Sequence, residues 1–225
     1  ALVPPKGFAT PTLQLCGMDE DGDNVEAIAP MSISSALHPT ILKSGELMFS
    51  SHEAQGLRDQ RMWGIWGILP DGRAWRPIVS AFHDARAFHF MTQASDGRIV
   101  VVDYYNLNNS GFGTLLAVPQ TPPAGMPAFH SAFLGDNPDL AETLSFGAYQ
   151  FQMHFTPRGA QVLTPFTHPE DEAAPIGAGG VRVGKLTHPS GAPGNDLLVA
   201  YSAGPVNHLA RPVTTPRIDS GIYLI

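Results

Sequence analysis

The chain has 225 residues, 43% of them hydrophobic, with 23 Gly, 21 Pro and a formal net charge of −7. Glycine and proline together make about a fifth of the chain, which argues for many turns and few long helices, and the apolar content is too high for disorder. Thirteen scattered Lys and Arg exclude the basic footprint of a nucleic-acid binder, and no apolar run approaches the ~18 residues of a membrane-spanning helix.

The first predicted elements are a strand over Leu13–Met18, a turn at Asp19–Asp23 and a strand over Val25–Ile28. Gly22 falls at the fourth place of the acidic cluster, not the sixth that an EF-hand loop requires, so the cluster reads as a solvated turn. Cys16 is the only cysteine, which excludes an internal disulfide, a multi-cysteine zinc site and a Cys-x-x-Cys-His haem attachment. Its place in an apolar run reads as a small buried strand residue.

Residues 33–79 read as one unit of four short strands. It comprises His38 to Ser51, Arg61 to Leu69 with Trp63, Ile65 and Trp66, and the returning strand Trp75 to Val79. Asp71-Gly72-Arg73 is expected to close the last two as a type I′ hairpin turn, because Asp-Gly tolerates positive φ. Residues 82–118 form the next unit. Its run Ile99 to Val102 is apolar on consecutive residues, the mark of a strand buried on both faces.

Residues 119–180 break this rhythm and read as an irregular insertion or a divergent unit. Pro119 to Pro127 is a proline-rich connector, Asn137-Pro138-Asp139 starts a short helix, and Tyr149 to Phe155 alternates as a half-buried strand. His168 to Gly180 is acidic, then glycine-rich, and reads as a surface loop. Residues 181–225 return to strands and finish with the apolar run Ile222 to Ile225.

One phrase recurs three times: a histidine, a polar stretch, a glycine turn and an apolar run. The copies are His38 with Ser44-Gly45 and Leu47 to Ser50, His89 with Asp96-Gly97 and Ile99 to Val102, and His188 with Gly194-Asn195 and Leu197 to Ala200. From histidine to the first apolar residue the spacing is 9, 10 and 9. Hairpin-sized units in series predict an all-β fold, a β-propeller of four-stranded antiparallel blades, with residues 1–225 forming one domain or part of one. At roughly 40–50 residues per blade the chain supplies about four to five blades, fewer than a closed ring commonly has, so a larger propeller in a longer polypeptide is expected.

The turn and strand segments around Met18-Asp19-Glu20-Asp21-Gly22-Asp23-Asn24, Asp96-Gly97-Arg98 and Leu69-Pro70-Asp71-Gly72-Arg73 resemble TolB-like and WD40-like propeller repeats. Pro39 to Phe49, Pro70-Asp71-Gly72 and the stretch from Pro189 through Leu197 to Ser202 and on to Gly221 to Ile225 are similar to the propeller region of hydrazine-synthase α-subunit-like proteins. That resemblance covers residues 12–118 and 181–225. It implies a periplasmic or extracellular location and c-type haem domains elsewhere in the polypeptide, although this chain carries no haem-attachment motif. A shorter likeness, His52-Glu53 and Gln60-Arg61-Met62-Trp63, is to oligogalacturonate lyases, which are TolB-like propellers using manganese held by histidines.

Two readings of the histidines follow. If His38, His89 and His188 occupy equivalent places around an axis, three neutral imidazoles could hold a divalent transition metal such as Mn, Zn or Cu. Otherwise each is a structural histidine bonding a backbone carbonyl. For a lyase, His52, expected on the loop after the strand Leu47 to Ser51, would be the base, and Arg61 would bind the substrate carboxylate. A surface His-Glu pair with Arg61 as its ionic partner is the plain alternative. His83-Asp84 and Arg86 form another polar cluster, without the Gly-x-Ser-x-Gly elbow of a hydrolase. The sequence thus supports a non-catalytic propeller scaffold or docking module of a larger extracytoplasmic protein. Its partners would be proteins or further domains of the same polypeptide. The alternative is a metal-dependent polysaccharide lyase.

Overall fold

In a computed structural model, the structure describes residues 13–28, 35–52, 63–79, 86–105, 111–121, 124–125, 143–146, 149–152, 159–167, 184–203 and 219–225. Arg61, His83, Asp84, the expected helix after Asn137 and the loop from His168 to Gly180 lie outside these residues. The described residues form an all-β fold with fifteen strands. They are β1 (Cys16–Gly17), β2 (Glu26–Ala27), β3 (Ala36–Ile41), β4 (Leu47–His52), β5 (Trp63–Ile68), β6 (Arg76–Val79), β7 (Arg86–Gln93), β8 (Ile99–Tyr105), β9 (Thr114–Val118), β10 (Thr143–Phe146), β11 (Tyr149–Gln152), β12 (Gln161–Val162), β13 (Lys185–Gly191), β14 (Leu197–Ser202) and β15 (Ser220–Leu224).

Antiparallel pairing groups them into three units. The first is β3-β4-β5-β6 and the second is β7-β8-β9-β12, joined to the first by one parallel pair, Trp63↔Ala87. The third is β13-β14-β15. β1-β2 and β10-β11 are separate hairpins. The fourth strand of the second unit was not foreseen. After Val118 the chain leaves the sheet and returns as β12, whose Gln161 and Val162 pair with Ala117 and Leu116. Cys16 is exposed, contrary to expectation: among the described residues β1 pairs with β2 alone, in a two-stranded ribbon.

Four hairpin turns share one geometry, set by a small or acidic residue followed by glycine. In each, the glycine N–H donates to the carbonyl three residues back, at 2.9 Å for Gly22, 2.9 Å for Gly45, 2.8 Å for Gly72 and 3.1 Å for Gly97. The four glycines have φ between 82° and 92°. The residue before the glycine accepts a bond from the N–H after it, as Asp71 Oδ1 does from Arg73 at 3.1 Å and Asp96 Oδ1 from Arg98 at 3.0 Å. Asp71 does not have positive φ, so the type I′ expectation is corrected. Pro70 and Asp71 form the centre of a turn, and Gly72 follows as a left-handed bulge residue, the usual three-residue hairpin loop. Gly97→Ala should therefore cost about 1 kcal/mol, because only backbone conformation opposes a methyl group there. A urea titration checks this, and an unchanged midpoint would contradict it.

The units stack face to face, always in the same sense. Because side chains alternate along a strand, residues 47 and 49 of β4 share one face and residues 48 and 50 the other. Met48 and Ile65 of the first unit pack against Ile99, Val101 and Leu116 of the second. The second unit turns its other face, with Val100, Val102, Leu115 and Ala117, to Leu186, Leu197 and Val199 of the third. Phe49 and Ile68, on the far face of the first unit, pack against Leu15 beside β1. The run Ile99 to Val102 is fully buried, as its unbroken apolar sequence predicts.

Candidate functional site

The inner strands β3, β7 and β13 lie side by side. At the turn ends, Lys43 N–H donates to Gln93 Oε1 at 2.8 Å, Gly191 N–H to Thr92 Oγ1 at 3.0 Å, and Ser95 Oγ to the Ala192 carbonyl at 2.8 Å. Farther along, each inner strand carries one extra residue. In β3 the ladder steps from Leu37↔Ser50 to Thr40↔Met48, in β7 from His89↔Val102 to Met91↔Val101, and in β13 from Thr187↔Ala200 to Ser190↔Leu198. Each irregularity has a non-glycine residue in the left-handed region: His38 at φ 54°, Phe90 at 48° and His188 at 49°.

This corrects the repeat alignment. The residue equivalent to His38 and His188 is Phe90, not His89. Phe90 stands nine residues before Ile99, the same spacing as in the other two copies, so the sequence held the signal in the one count that differed. The bulge offsets successive side chains, and His89 consequently turns into the interior while Phe90 takes the repeated place.

The histidines nevertheless gather, with Phe90 among them. The Phe90 ring lies 4.6 Å from His38 and 3.9 Å from His188, and the His38 and His89 rings are 5.1 Å apart. His38 and His188 are exposed at residue level, whereas His89 is 7% exposed. Its Nδ1 is 2.7 Å from the Tyr104 hydroxyl, and its Nε2 has no hydrogen-bond partner among the described residues. Trp63 meets His89 edge-on at 4.7 Å and stacks on His52 at 4.7 Å. His52 is the last residue of β4 and is buried, so it does not sit on the loop that follows.

Electrostatically the cluster favours neutral rings. Burial, with smaller contributions from His38 and His52, brings His89 down to about 3. Burial and then His188 lower His38, and burial lowers His188. Burial pushes the Tyr104 phenol up, so the Tyr104–His89 pair is uncharged near neutrality. In either tautomer of His89, Nδ1 serves Tyr104 and Nε2 is left over. Among the described residues no group of three or more His, Cys, Asp or Glu side chains is placed to hold a metal ion. Of the three proposed ligands, His38 and His188 project at the surface with Phe90 against both, and His89 is committed to Tyr104. Trp63, Phe90 and Tyr104 are the members of the cluster that a search for polar groups misses.

A scan against protein-family models finds no match, and no curated protein matches. The solved structures that align with this chain include the following two. Hydrazine synthase from Kuenenia stuttgartiensis aligns with a TM-score of 0.49 and 19% identity over 89% of this chain and 19% of its own. A structural-genomics target described as a gluconolactonase aligns with a TM-score of 0.42 and 10% identity over 87% of this chain and 57% of its own. The chain thus spans about a fifth of the first protein and just over half of the second.

Proposed function

We propose that the chain is a segment of a β-propeller and serves as a non-catalytic scaffold or docking module of a larger extracytoplasmic protein. One observation carries this reading: three hairpin-based sheets stack in a single direction, with their inner strands adjacent and the same bulge in each. Such an array assigns its apolar residues to sheet-on-sheet contact, and the buried imidazole of His89 is held neutral. The sequence resemblance to the propeller region of hydrazine-synthase α-subunit-like proteins supports the extracytoplasmic part of the reading.

The experiment is an intact-mass measurement of the native polypeptide, paired with an assay on uronate oligomers with and without added Mn2+. A polypeptide longer than 225 residues and no turnover are expected. A native product of this length, or Mn2+-dependent turnover abolished by His52→Ala, would overturn the proposal.

A further inference from the structure

The third unit breaks the stacking pattern at one face. Counting from each bulge, Met48, Val100 and Leu198 are equivalent. Met48 and Val100 are 0% and 1% exposed because the next unit covers them. Leu198 is 43% exposed. Its ladder partner Leu224 is 61% exposed, and Ile222, opposite Ala200 on the same face, is 80% exposed. On the opposite face Leu197 and Val199 of β14 are 3% and 1% exposed against the second unit, while Tyr223 on the edge strand stays 50% exposed. The central strand β14 thus has one covered face, with Leu197 and Val199, and one uncovered face, with Leu198.

Resting on the module reading above, we infer that the face formed by Leu198, Ala200, Ile222 and Leu224 is a docking surface. Its occupant is a further antiparallel sheet of the same repeat, within the same polypeptide. The occupant's chemistry follows from the two interfaces already in the fold. Each covered face meets alternate apolar residues of the next unit, as Val100 and Val102 meet Leu197 and Val199. Neither Leu198, Ala200, Ile222 nor Leu224 carries a charge to select an ionic partner, and an edge sheet with such a face is stabilised by continued stacking.

The test uses thiol labelling of the native full-length protein, with Cys16 replaced by Ser because it is itself exposed. Ile222→Cys is compared with Ile41→Cys, a site 71% exposed in the first unit. The thiol at 222 should react roughly tenfold more slowly than that at 41, since a covered thiol reacts only on local opening, and dilution should not change the ratio. Equal rates overturn the inference. Protection that disappears on dilution also overturns it, by assigning the face to a second copy of the chain. The module reading fails separately, on intact mass or turnover, whatever the labelling rates are.

Discussion

Acidification from pH 7 to pH 4 should destabilise the folded chain by on the order of 3 kcal/mol through His89 alone. The folded-state value is about 3, against an ordinary 6.5 in the unfolded chain. Below pH 6.5 the unfolded chain therefore takes up a proton that the folded chain refuses until the pH nears 3. The contribution is fully present above pH 6.5 and is lost as the pH falls toward 3. His38 and His188 are lowered too, so they add in the same direction.

The measurement is urea unfolding at several pH values, comparing the wild type with the double variant His89→Phe/Tyr104→Phe. The double replacement removes the titrating ring without leaving the Tyr104 hydroxyl unpartnered, and it keeps an aromatic ring against Trp63. Its stability should fall less steeply with acid, by close to one proton between pH 6 and pH 4. Parallel curves for the two proteins would show that His89 is not held neutral in the fold.

Gly113→Ala should cost about 3 kcal/mol, several times the cost at Gly97. Gly113 lies at the crossing of the second and third units. Its N–H donates to the Leu186 carbonyl at 2.8 Å and its carbonyl accepts from Leu186 at 3.0 Å. A methyl group there would overlap the Asp103 carbonyl oxygen and come within 2.7 Å of Tyr104 Cβ. Backbone must move to admit it, and that movement opens both the β8–β9 ladder and the contact with β13. At Gly97 no heavy atom is closer than 4.0 Å to such a methyl, and conformation alone resists. The two glycines thus separate a steric cost from a conformational one. A Gly113→Ala protein within about 1 kcal/mol of wild type would mean that the two units are not in close register at this point.

The hairpins were legible because their signals are local. Ser44-Gly45 and Asp96-Gly97 fix turn geometry within five residues, and the consecutive apolar run at 99–102 reports burial on both faces without reference to the rest of the chain. β12 was not legible, because two paired residues carry no periodicity and their partner lies more than 40 residues away in sequence. The histidine cluster was half legible. Repetition brought His38 and His188 together, but counting from the histidine hid the bulge, which puts Phe90 in the equivalent place and turns His89 inward. His52 reads as a surface residue by composition and is buried because Trp63 stacks on it, a cross-strand contact invisible until the β4–β5 register is known.

The return of β12 beside β9 has a consequence for how this chain can vary. Ala117 and Gln161 are direct ladder neighbours, so the stretch between them starts and ends at adjacent points of the sheet. Closing a longer or shorter excursion between fixed ends changes the chain entropy only slowly with length. Lineages could therefore enlarge, trim or exchange the stretch between those two residues while the ladder they anchor stayed intact, giving new surface without new scaffolding.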